Sequence, residues 1–454
     1  MLRRIAIVTT LTLSLGASAA ELLAQPAGQL SARKPSVVLV VMDDLGYGDV
    51  GSYGGTDART PNVDRLAREG VRLTDAYANG AVCTPTRAAL ISGRYQQRVG
   101  LEWVLTGSPA DRDRGLPVAE TSLPALLKTN GYATGLLGKW HLGWKAEFGP
   151  NAHGFDEFFG FLGGAHDYYT NGSEGGAPDL YENTEPIEAK GYLTDEITRR
   201  AVDFITRHAG NPFFLEVAYN AVHWPFEPPD RPPTEAERRH TRPLVQMPDD
   251  SIAATRQDYV RMLERADQGV GEILAALDRW GMARNTLVIF TNDNGGEWLS
   301  RNAPLFHRKG TLWEGGIRVP LILRWPGVLP AGKTSPQTAI TMDLSASILA
   351  ATGTKVPDTY HPDGIDILPV VRGESPVRDR NLFWRVARPN RQQRAVRSGQ
   401  WKLLVDANQY LLFDLATDPG ERTDLAARHP DIVVRLKRLL ADWEKDVGQP
   451  GSPR

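Results

Sequence analysis

The chain is 454 residues long, 41% hydrophobic and 23% charged, with 44 glycines and 32 prolines. Those proportions exclude a collagen-like or low-complexity chain and allow a core large enough for one big domain and a smaller one. With 52 basic against 54 acidic residues the formal charge is −2, which argues against a partner such as nucleic acid bound through a basic surface.

Met1-Leu2-Arg3-Arg4 is basic, Ile5 to Gly16 is apolar, and Ala17-Ser18-Ala19-Ala20 is a run of small residues. This pattern predicts an export signal over residues 1–20, because the apolar part is shorter than the roughly 20 residues a spanning helix needs. The expected destination is the periplasm or the exterior, with no stable membrane anchor. Exported proteins usually pair their cysteines. Here the single Cys83 has no partner within its own chain, so it is either inert and buried or chemically used.

Ser36 to Met42 (SVVLVVM) is a short β-branched apolar run, the signature of a strand buried on both faces of a parallel sheet. Thr60-Pro61 with Val63, Leu66 and Ala67, ending at Gly70, predicts a capped helix with proline in its first turn. Thr121 to Asn130 predicts another helix, followed by strands at Tyr132–Leu137 and Phe213–Ala218. Residues 228–250 are polar and proline-rich and read as an exposed loop, and Ser251 to Trp280 carries apolar residues at helical spacing. Leu287–Thr291 and Val319–Leu323 repeat the buried-strand pattern. Alternating strands and helices predict a layered α/β domain. From about residue 375 close-spaced strands (Leu382–Val386, Gln393–Val396, Trp401–Val405, Tyr410–Leu415) and a final amphipathic helix (Ile432–Val447) predict a small antiparallel sheet with one helix. The expected division is 34–372 for the α/β domain and 375–454 for the small one.

Asp43-Asp44 follows the first strand directly, and Asp293-Asn294-Gly295 follows the Leu287–Thr291 strand. Ligands of open α/β sheets gather beyond the carboxyl ends of strands, so both groups are expected at one edge. Three carboxylates and an amide oxygen there would repel one another without a cation, and an all-oxygen set suits calcium or magnesium better than zinc. Around the lone thiol, Pro85 suits the first turn of a helix and places Cys83 or Thr84 at its cap, where backbone N–H groups favour an anion. Arg87 lies four residues on, on the same helical face as Cys83.

Cys83, Pro85 and Arg87 form a Cys-x-Pro-x-Arg motif that resembles the core signature of the type I sulfatases. Gly131-Tyr132-Ala133-Thr134-Gly135-Leu136-Leu137-Gly138-Lys139-Trp140-His141 resembles the second signature of that family. Asp43-Asp44, His223–Pro225, Asp293-Asn294-Gly295 and Lys309 through Gly316 fall in the family order. So do Asp414-Leu415, Pro419 and Glu421, and the resemblance spans roughly residues 35 to 425. Ser92, Leu137 and the pair His307-Arg308 depart from the usual pattern, and the last bears on substrate fit.

The resemblance implies an alkaline-phosphatase-like α/β layered domain, with a large mixed, mostly parallel sheet flanked by helices, plus the small C-terminal α+β domain with its antiparallel sheet. It implies that a maturation enzyme oxidises Cys83 to formylglycine, whose gem-diol attacks sulfur, displaces the alcohol and then expels sulfate. Asp43, Asp44, Asp293 and Asn294, with the modified Cys83, would hold Ca2+ or Mg2+. Arg87 would steady the diol, Lys139 would contact sulfate or the diol, and His141 would take the diol proton. His223 and Lys309 would bind sulfate, one of them protonating the leaving oxygen. The substrate class implied is an aryl sulfate or a sulfated carbohydrate. Two other readings use the same residues: a phosphonate or phosphodiester hydrolase on this scaffold, or a non-catalytic binder of sulfated glycans if Cys83 stays a thiol. Trp140, Trp144, Trp224, Trp298 and Trp313 adjoin these motifs, and His166-Asp167, Arg301, Asn302 and His307 are candidate pocket residues.

Overall fold

The computed structural model describes residues 33–119, 121–170, 172, 177–234, 254–388 and 391–449. The export signal over residues 1–20, residues 235–250 of the proline-rich loop and residues 251–253 at the start of the long helix lie outside the described residues.

Ten strands build the main sheet: β1 (Ser36–Met42), β2 (Val71–Leu73), β3 (Ala133–Lys139), β4 (Glu157–Phe161), β5 (Tyr181–Glu182), β6 (Glu185–Pro186), β7 (Phe213–Ala218), β8 (Thr286–Asn292), β9 (Leu321–Arg324) and β10 (Lys333–Ser335). Their order is β10-β2-β9-β8-β1-β7-β3-β4-β5-β6. The central run from β8 to β4 is parallel, while β9 and the β5–β6 edge pair antiparallel.

The longer helices are α1 (Pro61–Glu69), α2 (Cys83–Ser92), α3 (Leu123–Thr129), α4 (Leu193–Arg207), α5 (Arg256–Arg279) and α6 (Met342–Thr352), with α7 (Pro430–Val447) at the C-terminal end. They explain why β1 is apolar from Val37 to Met42. Val38, Val40 and Met42 enter one core with α4 and α5, and Val37, Leu39 and Val41 enter a second core with α2, α3 and α6. The predicted strands and helices of the main domain are present, with ends shifted by up to a few residues. Two further helices, α4 and α6, lie outside the predicted elements. In α6 nearly every residue from Met342 to Leu349 is buried, which erases the periodicity that a one-sided helix shows.

Two helix starts differ from expectation. The cap of α2 is Val82, and Cys83 is its first helical residue rather than the cap. Thr60 makes no side-chain cap to α1; instead Asp267 of α5 accepts from the backbone N–H of Asn62 and Val63, neutralising orphan donors from across the core.

Strands β11 (Asn381–Arg388), β12 (Arg391–Ser398), β13 (Trp401–Asp406) and β14 (Gln409–Asp414) form an antiparallel meander, with α7 packed on it. Its apolar face shares a core with Tyr77, Ala81, Ala89, Leu312 and Ile317 of the main body. Beneath that seam Lys402 of β13, fully buried, bridges Glu314 (2.9 Å) and Glu421 (2.8 Å). Arg318 and Tyr77 also bond Glu314. Burial raises the carboxyl of Glu314, but Lys402, Arg318 and Arg397 outweigh it and hold the group down at about 2. Removing one member of a buried ionic set leaves the others uncompensated. Lys402→Met is therefore expected to destabilise the fold by about 3–5 kcal/mol, read from the urea midpoint. An unchanged midpoint would mean that Glu314 and Glu421 do not depend on that charge.

Candidate active site

Strands β1 and β8 are neighbours with Met42 opposite Asn292, so Asp43-Asp44 and Asp293-Asn294 leave the sheet side by side. The Asp293 N–H bonds Met42 O, and the Asp43 N–H bonds Ala221 O beyond the end of β7. Asp43, Asp44, Asp293 and Asn294 are all buried. Asp44 stands at φ +60°, a left-handed conformation that costs a non-glycine residue about 1 kcal/mol or more.

Each carboxylate carries a cation. Lys139 Nζ lies 2.6 Å from Asp43 Oδ2, Lys309 Nζ 2.7 Å from Asp44 Oδ2, and Arg87 holds Asp293 Oδ2 through Nε (3.0 Å) and Nη2 (2.8 Å). Arg87 Nη1 also donates to Lys139 O, tying α2 to the end of β3. Burial and then Asp293 push Asp43 up to about 7, against Lys139 and Arg87. Asp43, Asp44 and Asp293 balance Lys139, Lys309 and Arg87, and Glu297 beside Lys309 adds one acid, so an added divalent ion would still leave the pocket positive and suited to an anionic ligand.

Cys83 Sγ lies 3.6 Å from Asp43 Oδ1 at the foot of this cluster, 1% exposed. Burial, followed by Asp293, raises its thiol well above the ordinary range, so as a thiol it is a poor nucleophile. Oxygen or sulfur atoms of Asp43 and Asp44 and Cys83, with a ring nitrogen of His223, lie within 4.8 Å of one another. His223 joins that group in place of the Asp293 expected from sequence, whose Oδ2 is turned to Arg87. Asn294 donates through Nδ2 to Asp44 Oδ1 at 2.7 Å, and its buried Oδ1 has no hydrogen-bond partner. A buried carbonyl oxygen left free beside carboxylates fits a hard cation.

Two histidines face this centre with their tautomers set by backbone. His141 Nε2 lies 2.9 Å from Leu105 O. A carbonyl only accepts, so Nε2 carries the hydrogen, and Nδ1, buried without a partner, is a free base. Burial and Lys139 hold His141 well below the usual histidine value. Gly164 packs on its ring so closely that a Cβ there would sit 2.6 Å from Cε1. His223 donates Nδ1–H to Trp224 O (2.6 Å) and turns Nε2 toward Asp44 Oδ2 at 3.5 Å. Burial pulls Lys309 down, but Asp44, Cys83 and Glu297 outweigh it and keep it well above the ordinary lysine value.

The structure thus brings Asp43, Asp44, Cys83, Arg87, Lys139, His141, His223, Asp293, Asn294 and Lys309 into one buried neighbourhood. Of the looser pocket candidates, Arg301 pairs with Asp57, and Asn302 bonds both ways with the Gly296 backbone; both shape the loop. His166 is buried, its Nδ1 on Asp167 O. Trp140 is buried with Nε1 on Phe148 O, and Trp313 packs between Phe306 and Phe413. Trp224 lies beside His223 and edge-on to Trp298. Sequence reading missed Glu297, 3.4 Å from Lys309. It also missed Glu216 in the middle of β7, buried with Oε2 unpartnered and pushed by burial up to about 7. Glu216 interrupts the otherwise apolar FFLEVA run, a signal visible in the sequence.

Residues 35–354 match the Sulfatase family model, and residues 304–446 match the model for N-sulphoglucosamine sulphohydrolase, C-terminal. The chain is 36% identical to the N-acetylgalactosamine-6-sulfatase of Mus musculus, over 92% of this chain and 88% of that one. It is 33% identical to the arylsulfatase A of Bos taurus, over 89% and 85%. The solved structure of Ps i-CgsB in complex with k-i-k-neocarrahexaose superposes with a TM-score of 0.82 at 34% identity, covering 92% of this chain and 94% of that one.

The burial of Cys83 has a direct consequence. A raised thiol pKa lowers the thiolate fraction at a given pH, and the fold blocks access. In protein that retains the thiol, alkylation by iodoacetamide at neutral pH should be far slower when folded than in urea, and should rise only above the ordinary thiol range. Equal rates folded and unfolded would contradict the enclosed, proton-bearing thiol.

Proposed function

The chain belongs to the sulfatase family and is a sulfuric ester hydrolase, and we propose that its substrate is a sulfated carbohydrate, cleaved to alcohol and inorganic sulfate. We further propose that Cys83 works as formylglycine beside a calcium or magnesium ion. The observation that carries this reading is the enclosed group of Cys83, three carboxylates and three cations at one sheet edge. The curated and structural relatives named for galactosamine-6-sulfate and carrageenan support the carbohydrate assignment.

Asp43, Asp44 and Asn294, with Asp293 through the oxygen that Arg87 does not hold, would be the oxygen donors for the cation, and the modified Cys83 would complete the set. When bound, that ion supplies charge that polarises a sulfate oxygen and lowers the pKa of the nucleophile. Converted to an aldehyde, Cys83 supplies a hydrate with two hydroxyls, so sulfate can be released where a serine would stay esterified. Cys83 is 1% exposed in the folded chain, so a maturation enzyme has to reach it before folding closes the site.

The other residues have separable tasks. Arg87 holds Asp293 in place and offsets its charge. Lys139 and Lys309, both held by carboxylates, present fixed positive charge to the sulfate oxygens. His141 keeps Nδ1 as a lone pair, because Nε2–H is committed to Leu105 O, and takes the proton that drives sulfate release. His223 donates Nδ1–H to Trp224 O, leaving Nε2 to deliver a proton to the leaving oxygen; burial, Lys309 and Lys139 hold the ring well below the ordinary histidine value, and the ester anion beside it has to offset them to favour the protonated form. Lys309, held far above neutrality, serves as charge rather than as proton donor.

Export through residues 1–20 and the division at residues 372 to 375 belong to the same proposal. The separate four-stranded meander supports the division. No helix among the described residues is long and apolar enough to cross a membrane.

Two experiments test this reading. The mass of the Cys83 peptide from the active native enzyme should be that of formylglycine, and Cys83→Ala should abolish turnover without changing the unfolding midpoint. A plain cysteine in fully active protein would overturn the mechanism. His223→Ala should lose at least about tenfold more rate on alkyl sulfates than on 4-nitrophenyl sulfate, because only the poor leaving group needs the proton. An equal loss on both would remove the proton-donor role. Preference for a phosphonate ester over every sulfate ester would move the substrate assignment to the rival anion.

A further inference from the structure

The β11–β12 hairpin touches two segments that also reach the active site. Arg388 and Arg391 form its last backbone rung. Arg388 lies over the ring of Trp103, 4.9 Å from its centroid. Trp103 belongs to the segment in which Glu102 holds Arg385 and Leu105 O holds His141. On the other side Arg391 Nη1 donates to Gly310 O at 2.8 Å, directly after Lys309. The rung therefore links the segment that fixes the base to the loop that carries a sulfate-binding lysine.

Among the described residues neither arginine has a carboxylate within ion-pair range; their contacts are the Trp103 ring and the Gly310 carbonyl. Other arginines of the chain, such as Arg199 and Arg207, are held by carboxylates. His307 stands beside them, lowered by burial and then by Arg391 and Arg308, with Asp406 opposing. Asp406 itself accepts from Gln393. Arg391, half-buried Arg388 and Arg308, and a flat indole face make a polar, positively charged platform beside a pocket whose chemistry consumes one anion.

We propose that Arg388 and Arg391 recognise a second anionic group on the substrate, a sulfate or carboxylate on the sugar next to the one being desulfated, with Trp103 supporting Arg388. This rests on the sulfated-carbohydrate reading above and narrows it to polyanionic saccharides.

The test compares three probes on the matured full-length enzyme: a monosulfated disaccharide, its disulfated form, and its form with a uronic acid on the neighbouring sugar. Arg388→Ala and Arg391→Ala should each raise KM about tenfold for the disulfated or uronate-bearing probe while changing the monosulfated one by less than about twofold. Arg388→Lys should restore part of the loss, and added salt should weaken the difference. Whichever dianionic probe responds identifies the second group. Equal losses on all three probes, or no loss on any, would overturn the proposal. Calorimetric binding of the same probes to Cys83→Ala protein needs no turnover and separates the two ideas. Arginine-dependent binding with no hydrolysis by the wild type would sink the reaction and keep the subsite. Hydrolysis with arginine-independent binding would do the reverse.

Discussion

The molecule is organised around one electrostatic constraint: three carboxylates, Asp43, Asp44 and Asp293, are taken out of water at the same sheet edge. Burying like charges together costs several kcal/mol per ion unless each is compensated. The chain compensates them one by one, with Lys139 from β3, Arg87 from α2 and Lys309 from the loop before Glu314. These cations come from three distant parts of the sequence, so the charge balance is also what brings those parts together. The thiol of Cys83 and the imidazoles of His141 and His223 then occupy positions that this arrangement leaves.

A second buried ionic set does similar work under the small sheet. Lys402 reaches Glu314 and Glu421, and Glu314 begins the short turn that follows the Lys309 loop. Gly315 and Gly316 of that turn bond Phe306 and Gly295 through backbone groups. A Cβ at Gly295 would lie 1.9 Å from Gly315 O, so only glycine permits this approach. These contacts tie the C-terminal meander to the turn that follows the Lys309 loop. The meander thus contacts segments of the site at two places, through Lys402 on Glu314 and through Arg391 on Gly310 O.

Rigid placement of the two histidines follows from backbone carbonyls rather than from acids. Leu105 O and Trp224 O each consume one ring N–H, which leaves Nδ1 of one ring and Nε2 of the other for chemistry. Neither partner could be read from sequence, since a carbonyl is present at every residue and only tertiary position makes one of them an orienting group. Thr84 is a related case: its hydroxyl donates to His141 O and accepts from Leu105 N–H, so one small side chain holds base and loop together.

The sequence by itself determined the layered α/β class, because SVVLVVM and LVIFT are apolar without alternation and therefore call for cover on both faces. It also marked the residues that meet at the site, through acids placed directly after those strands and the Cys83-x-Pro85-x-Arg87 spacing on one helical face. The cap of α2 went instead to Val82, and α6 was hidden, since a helix buried on nearly all sides has no polar stripe to mark its period. Which cation meets which carboxylate, that Asp293 turns to Arg87 while His223 joins Asp43, Asp44 and Cys83, and that Glu297 stands beside Lys309 were decided only by tertiary structure. Those pairings depend on distances between residues up to 265 positions apart, and no local pattern in a chain encodes the strand order that creates them.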